Sequence, residues 1–241
     1  MTTITERNHQ KAELFSHSLL TELRVIADPE KAKLQEAYMK NKMSFLGVSA
    51  GDVKQISTKL FKSFKPEDNI EYRHLIIHIF SNAQYREEWY AVLRYCTRFK
   101  KYITVENIDI YMDLILKSQW WDIVDGIATN LMGPALLDNA KKESLLMSWV
   151  KHPNMWVRRT SLLTQLKYKN HTDFKLLARL ISFTMDEKEF FIRKAIGWAL
   201  RQYSYTNPEA VLGLIGSSTY RLSHLSKRES LKGLKRMGIT I

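Results

Sequence analysis

Cysteine is nearly absent from this sequence, since Cys96 is the only one in 241 residues. A single thiol cannot form a disulfide within the chain, and its apolar and aromatic neighbours predict that Cys96 is buried and structural rather than a nucleophile. Long apolar runs are also absent. None approaches the roughly 20 residues of a membrane-spanning helix, and the first residues lack the apolar core of a signal peptide. We therefore expect a cytoplasmic protein with no membrane attachment.

Glycine and proline are scarce, with 9 and 5 residues respectively. The prolines lie where helices would begin or end, which indicates helices joined by short turns. Apolar residues recur at intervals of three and four, as in Leu75, Ile76, Ile79 and Phe80, and no stretch alternates long enough to predict a strand. No segment has the composition of a linker. We therefore predict an all-α protein in which residues 1–241 form a single domain, with helices near 9–27, 29–41, 50–63, 68–82, 84–99, 105–116, 119–131, 134–150, 154–168, 172–184, 188–204, 207–216 and 224–236.

Acidic residues are fewer than basic ones, since the sequence has 25 Asp and Glu against 37 Lys and Arg. The formal net charge of +12 favours a polyanionic partner. Nucleic acid is the first such partner and an anionic membrane surface the second, and charge alone does not choose between them.

An internal repeat runs through the second half of the chain. Trp121, Trp156 and Phe191 follow one another at intervals of 35 residues, and so do Arg158, Arg193 and Arg228. Paired helices that repeat at about 35–45 residues are typical of tetratricopeptide, HEAT and armadillo arrays, and the tetratricopeptide signature is not reproduced here. We predict a right-handed α-solenoid of HEAT-like (ARM-type) repeats, with a concave basic face along which the three arginines align.

The main candidate functional segment is Trp120-Trp121-Asp122-Ile123-Val124-Asp125, which places two tryptophans beside two carboxylates. Large rings usually fill cores, but two adjacent tryptophans cannot both point inward from one helix, so we expect Trp120 in the core and Trp121 at the surface. Trp121 and Asp125 share one helix face, which would also carry Ser118. The helix dipole accounts for Asp122 in the first turn, whereas Asp125 lies a turn deeper and is a candidate for catalysis.

Two further residues extend this candidate site. The 35-residue interval places Arg159 and Thr160 opposite Val124 and Asp125, so the Arg159 guanidinium could hold a phosphate beside an ionised carboxylate. The alternative is an ordinary solvated helix face. Trp198 corresponds to Leu163 of the preceding repeat, which leaves core packing open as its role, and Gly197 before it permits close backbone approach.

A metal site is not predicted. His74 and His78 have the i, i+4 spacing of two ligands on a helix, but no Glu follows His74 and no third ligand is visible near them.

Three blocks closely resemble the AlkD-type DNA alkylation repair glycosylases, a family with a HEAT-like repeat fold. They are the Trp-Trp-Asp-Ile-Val-Asp segment, Trp156-Val157-Arg158-Arg159-Thr160, and the stretch 188–201, which contains Ala195-Ile196-Gly197-Trp198-Ala199-Leu200-Arg201. The resemblance covers most of the chain and extends to 225–229 and, more loosely, back to Phe45-Leu46-Gly47. The first 40 residues match least.

The resemblance implies an enzyme that excises N3- and N7-alkylated purines from duplex DNA and leaves an abasic site. It assigns the catalytic carboxylate to Asp125, the two groove tryptophans to Trp121 and Trp198, and the phosphate-gripping arginine to Arg159. With the repeat, it makes Arg158, Arg193, Lys194 and Arg228 candidates for DNA contacts. It also implies that the damaged nucleotide need not be flipped, unlike the general rule for glycosylases.

A monofunctional glycosylase of this kind needs no metal or organic cofactor and can work as a monomer, so alkylated double-stranded DNA is the expected partner. Two alternatives remain open from the residues alone. One is a non-catalytic HEAT-repeat DNA-binding protein, and the other is a protein-binding scaffold whose concave face takes an acidic helix or tail.

Overall fold

The structure is a computed structural model that describes residues 4–239. These residues form helices and connecting turns, with no strand among them, so the all-α prediction is confirmed. The chain divides into two compact units, Met1–Ile103 and Thr104–Ile241. The single-domain expectation, the HEAT-type handedness and the concave face stay predictions.

Over residues 4–103, the first unit contains five α-helices and a closing 3-10 turn, Lys100–Tyr102. Side chains of Asp28, Ser49 and Asp68 accept backbone N–H groups at the starts of the second, third and fourth helices, as N-cap residues do. The helices are α1 (Ile4–Val25), α2 (Pro29–Tyr38), α3 (Ala50–Ser63), α4 (Asn69–Asn82) and α5 (Arg86–Arg98).

Cys96 lies in the core of this unit, and burial raises the pKa of its thiol to about 12. A thiol protonated at neutral pH is a poor nucleophile, so the prediction of a buried structural cysteine is confirmed.

The second unit continues the pattern of helices and short turns. Its helices are α6 (Ile108–Ser118), α7 (Trp121–Ile127), α8 (Gly133–Leu136), α9 (Lys142–Trp149), α10 (Met155–Leu163), α11 (Phe174–Thr184), α12 (Phe190–Ser204), α13 (Pro208–Gly216) and α14 (His224–Arg236). A π-helical turn, Ala128–Met132, joins α7 to α8. In addition, 3-10 turns occupy Val105–Asn107 and Lys169–His171.

Several predicted helices of this unit have the wrong boundaries. The expected helix 119–131 begins only at Trp121, because Gln119 ends α6 in the left-handed conformation, with φ of 41°. Ser118 is therefore the last residue of α6 and does not share the helix face of Trp121 and Asp125, as had been expected. The predicted helix 134–150 is broken after Leu136, since the side chain of Asn139 accepts the Lys141 N–H and forms the kind of Asx turn that competes with helical hydrogen bonds.

The predicted helix 154–168 is too long, because α10 ends at Leu163. Beyond it, the side-chain amide of Gln165 donates to the Asp173 carbonyl and accepts from the Asp173 N–H. This pair of bonds turns the chain toward α11.

Side-chain hydrogen bonds in the second unit join residues about one repeat apart. Among the described residues, six such pairs are 33 to 37 positions apart, as expected from the 35-residue interval: Asp125 with Arg159, Gly133 with Tyr168, Asn130 with Lys167, Glu143 with Arg179, Asp186 with Arg221, and Arg193 with Ser226. The interval in the sequence thus corresponds to contacts between successive helical layers.

A membrane-spanning segment is not found: within residues 4–239, no helix has both the length and the apolar character needed to cross a bilayer.

Candidate active site

The start of α7 positions the first two site residues. Trp120 is the N-cap residue in extended conformation, and Trp121 is the first residue of the helix. Asp125 follows Trp121 by four positions, so the two lie on the same face one turn apart. Asp122 lies in the first turn, where the helix dipole favours a carboxylate, as predicted.

Asp125 forms a two-pronged ion pair with Arg159 of α10. The Nε and Nη2 atoms of Arg159 donate to Oδ1 and Oδ2 of Asp125, each at 2.7 Å. The side chains are only 13% and 5% exposed, for Asp125 and Arg159 respectively. The predicted closeness of these two residues is thus confirmed, and this geometry fixes the plane of the carboxylate.

Arg159 is itself held from the other side by α12. Its Nη1 donates to the carbonyl oxygen of Phe191, and its guanidinium carbon lies 5.8 Å from the centre of the Phe191 ring. The helix α10 packs against both α7 and α12. Helices α7, α10 and α12 therefore together fix the position of the Asp125 carboxylate.

Two opposing effects set the charge of Asp125. Burial raises the pKa of Asp125 above its ordinary value, whereas the hydrogen bonds and positive charge of Arg159 act to lower it. Because arginine remains protonated in proteins, the paired 2.7 Å contacts describe an ionised carboxylate. Asp125 is thus a negative charge in a largely water-excluded position, with a small part of its surface open.

Three rings gather beside this ion pair. The centre of Trp120 lies 5.8 Å from that of Trp156 and 5.4 Å from that of Phe191, and Trp156 lies 4.9 Å from Phe191. These are ordinary distances for packed aromatic pairs. Trp120 therefore packs among rings, but it is half-buried, as is Trp121, so the expected division into a core and a surface tryptophan is not found.

Trp198 lies on α12 seven residues after Phe191 and four after Lys194, so the three share one helix face. Its side chain is half-buried. Gly197 beside it confirms the expected close approach: a Cβ atom there would lie 2.5 Å from the Cβ of Glu229 and 2.9 Å from the Ser226 carbonyl oxygen. The backbones of α12 and α14 meet at this glycine.

The predicted basic residues are not equally available to a ligand. Arg158 donates to both carboxylate oxygens of Glu187, at 2.9 and 2.8 Å, and Arg193 donates to the Glu187 carbonyl. Lys194 pairs with Glu229 at 3.1 Å. Arg228 is exposed.

Glu187 and Glu229 were missed by sequence reasoning. Each binds one of the predicted basic residues from far along the chain: Glu187 lies 29 residues from Arg158, and Glu229 lies 35 residues from Lys194. For Glu229, the 35-residue interval could have signalled the pairing with Lys194. Glu187 lies just before α12 and fits no interval, so nothing in the sequence marked it.

Comparison with known proteins decides the family. Residues 19–234 match the family described as DNA alkylation repair enzyme. The chain belongs to this family.

A solved structure supports the same membership. The chain is similar to the structure titled "Predicted DNA alkylation repair enzyme from Enterococcus faecalis", with 30% sequence identity and a TM-score of 0.77, over 86% of this chain and 96% of that chain. No curated protein matches the sequence. As a member of the DNA alkylation repair family, the chain has a role in DNA repair, and DNA is the substrate that this membership indicates.

Proposed function

We propose that this member of the DNA alkylation repair family is a monofunctional AlkD-type DNA glycosylase. Its substrates are cationic N3- and N7-alkylated purines in duplex DNA, such as 3-methyladenine and 7-methylguanine. It hydrolyses the N-glycosidic bond and leaves an abasic site. The observation that carries the proposal is the nearly buried carboxylate of Asp125, held at both oxygens by Arg159.

The chemistry of the lesion matches such a site. An N3- or N7-alkylpurine carries a positive charge, so the C1′–N bond can break with its electron pair leaving on the base, which becomes neutral. The sugar is then an oxocarbenium-like cation. A fixed carboxylate stabilises that cation without first rearranging, and it can accept a proton from the water whose oxygen bonds to C1′.

The tryptophans have a complementary role in this proposal. Trp121 shares a helix face with Asp125, and Trp198 extends the face of α12 that begins at Phe191. Both are half-buried, so each leaves part of its ring accessible. The face of an indole ring attracts positive charge, which suits the cationic base and the developing sugar cation. No metal or organic cofactor has a part in these steps.

The predicted phosphate contact of Arg159 takes a different form in this structure. Since Nε and Nη2 point to Asp125 and Nη1 points to the Phe191 carbonyl, Arg159 positions the carboxylate. A phosphate would have to bind the remaining N–H groups of the same guanidinium.

Base release tests the proposal directly. Duplex DNA carrying methylated purines is incubated with the wild type, Asp125→Asn and Asp113→Asn, and free 3-methyladenine and 7-methylguanine are quantified. Asp113 is exposed on α6, so its substitution removes the same charge from the same unit outside the site.

We expect release by the wild type and Asp113→Asn, and a loss of at least about 100-fold in Asp125→Asn, the scale of a lost general base. Duplex binding with no release by any of the three proteins would favour the non-catalytic DNA-binding alternative. The absence of salt-dependent duplex binding would favour the protein scaffold, because counterion release is the signature of phosphate contacts.

A further inference from the structure

Three histidines from two helices of the first unit meet at one place. His74 and His78 lie one turn apart on α4, and His9 approaches them from α1, which packs against α4. One ring nitrogen from each lies within 4.8 Å of the others. Three imidazoles on rigid helices are a common ligand set for a divalent transition metal.

One of these rings has an unexplained buried nitrogen. The Nε2 atom of His74 is shielded from solvent and has no hydrogen-bond partner within residues 4–239. Buried polar side-chain atoms are satisfied in the large majority of cases. A metal bound within the cluster would give this nitrogen its missing partner.

A carboxylate is in place to orient the third ring. Oε1 of Glu13 lies 3.3 Å from Nε2 of His9, one turn along α1. Metal-binding histidines commonly donate their second ring N–H to a carboxylate, which sets the tautomer and the direction of the ligating nitrogen. Glu13 fits that position for His9.

The three rings also lie close together. The ring centre of His78 lies 5.2 Å from that of His9 and 6.3 Å from that of His74.

We propose that His9, His74 and His78 bind a zinc ion that joins α1 to α4, with Glu13 as the residue that orients His9. Nitrogen ligands of tetrahedral zinc lie about 2.0–2.1 Å from the metal and hence about 3.4 Å from one another. Since the side chain of His9 is 52% exposed, its ring has room to rotate and close that distance. The site is structural and is separate from the Asp125 chemistry.

Zinc binding by tag-free, full-length protein tests the site. Titration calorimetry with Zn²⁺ alone gives the affinity, and the visible absorption of bound Co²⁺ reports tetrahedral coordination. His9→Gln removes one ligand, and His17→Gln is its matched control, because both histidines are exposed residues of α1. Glu13→Gln tests the orienting carboxylate.

We expect one zinc per chain, and a loss of affinity of at least about 100-fold in His9→Gln. Removing a ligand should lower zinc affinity more than removing an orienting partner, which typically lowers it about 10–100-fold. Glu13→Gln measures the effect of the orienting carboxylate. Zinc should raise the unfolding temperature of the wild type and of His17→Gln, but not that of His9→Gln. Equal zinc affinities in His9→Gln and His17→Gln, or no stoichiometric binding by the wild type, would overturn the proposal.

Substitution of the partly buried His74 provides a second test of the zinc site. His74→Ala should lose both zinc affinity and the tetrahedral Co²⁺ spectrum. If that variant does not fold, the comparison between His9 and His17 still decides the question.

Discussion

Arg159 donates through Nε and Nη2 to the two carboxylate oxygens of Asp125, each at 2.7 Å. A planar guanidinium thereby fixes both the position and the plane of the proposed catalytic carboxylate. Lysine, as a point charge, can restore the charge at this place but not the two parallel bonds.

Loss of Arg159 should therefore cost both stability and activity. In Arg159→Ala the Asp125 charge is left buried and unpaired, and we expect the free energy of unfolding to fall by about 3–5 kcal/mol. Urea denaturation followed by circular dichroism measures this. The control is Arg179→Ala, whose ion pair with Glu143 has both side chains more than half exposed and should contribute no more than about 1 kcal/mol. Equal losses in the two variants would contradict the structural role of Arg159.

Arg159→Lys separates geometry from charge. We expect it to fold, to bind methylated duplex DNA, and to release base more slowly, because one carboxylate oxygen loses its donor and the carboxylate can rotate. Single-turnover rates with enzyme in excess measure the chemical step. A rate equal to that of the wild type would show that the two-pronged contact is not needed for excision.

The pH dependence of excision should report Asp125. Burial raises the pKa of Asp125, so the proposed base becomes protonated, and excision declines, at a pH above the ordinary Asp value of about 3.9. Proton uptake by Asp125 favours the folded state over this range, because its pKa is higher in the folded than in the unfolded chain. The decline is therefore not unfolding caused by this group. Single-turnover release from pre-methylated DNA, corrected for spontaneous depurination, measures it, with circular dichroism as the control for folding.

Gly197→Ala should destabilise the contact between α12 and α14. The added Cβ would meet the Glu229 Cβ at 2.5 Å, and overpacking of this kind costs about 1–3 kcal/mol. Gly213→Ala is the matched control within α13, where an added Cβ meets nothing within 4 Å. We expect the control to be neutral or stabilising by up to about 1 kcal/mol. Thermal unfolding of both variants distinguishes them, and a loss confined to Gly213→Ala would refute the packing argument.

DNA affinity should depend on Arg228 more than on Arg158. Arg228 is exposed, whereas the Nε and Nη2 atoms of Arg158 already donate to the carboxylate of Glu187. We expect Arg228→Ala to weaken duplex binding and to reduce the slope of log affinity against log salt by about 1, as for one lost phosphate contact. Arg158→Ala should lower stability by about 1–3 kcal/mol, because the partner carboxylate loses its donors. Fluorescence anisotropy across a salt series measures the slopes, and equal slopes for the wild type and Arg228→Ala would remove Arg228 from the interface.

The sequence predicted the helices best where apolar periodicity and capping residues agree. The expected boundaries 50–63 and 224–236 are those of α3 and α14, whose N-cap serines accept backbone N–H groups. The prediction was wrong at 134–150, where the side chain of Asn139 stabilises a turn although apolar residues continue on both sides. Periodicity does not detect such a local competitor of the helix.

The family resemblance assigned the residues of the candidate site, and the 35-residue interval predicted one contact within it. The interval placed Arg159 and Thr160 opposite Val124 and Asp125, and the structure brings Arg159 and Asp125 into contact. The interval cannot show which basic side chains are already paired with a carboxylate. Glu187, which binds Arg158 and Arg193, was not marked by any pattern in the sequence. His9 was likewise out of reach of the sequence, because its proximity to His74 depends on how α1 packs against α4.

The hydrogen bond from Arg159 to the Phe191 carbonyl has a consequence for the order in which parts of the chain fold during synthesis. Asp125 and Arg159 both precede α12 in the sequence, but Arg159, which holds the Asp125 carboxylate, is itself bound by the Phe191 carbonyl in the first turn of α12. A nascent chain that ends before residue 190 thus contains the carboxylate without its complete support. Since contacts between neighbouring layers require only short loops to close, folding can proceed layer by layer behind the ribosome. The proposed catalytic carboxylate would then be held in its final position only when α12, two layers beyond Asp125, has docked.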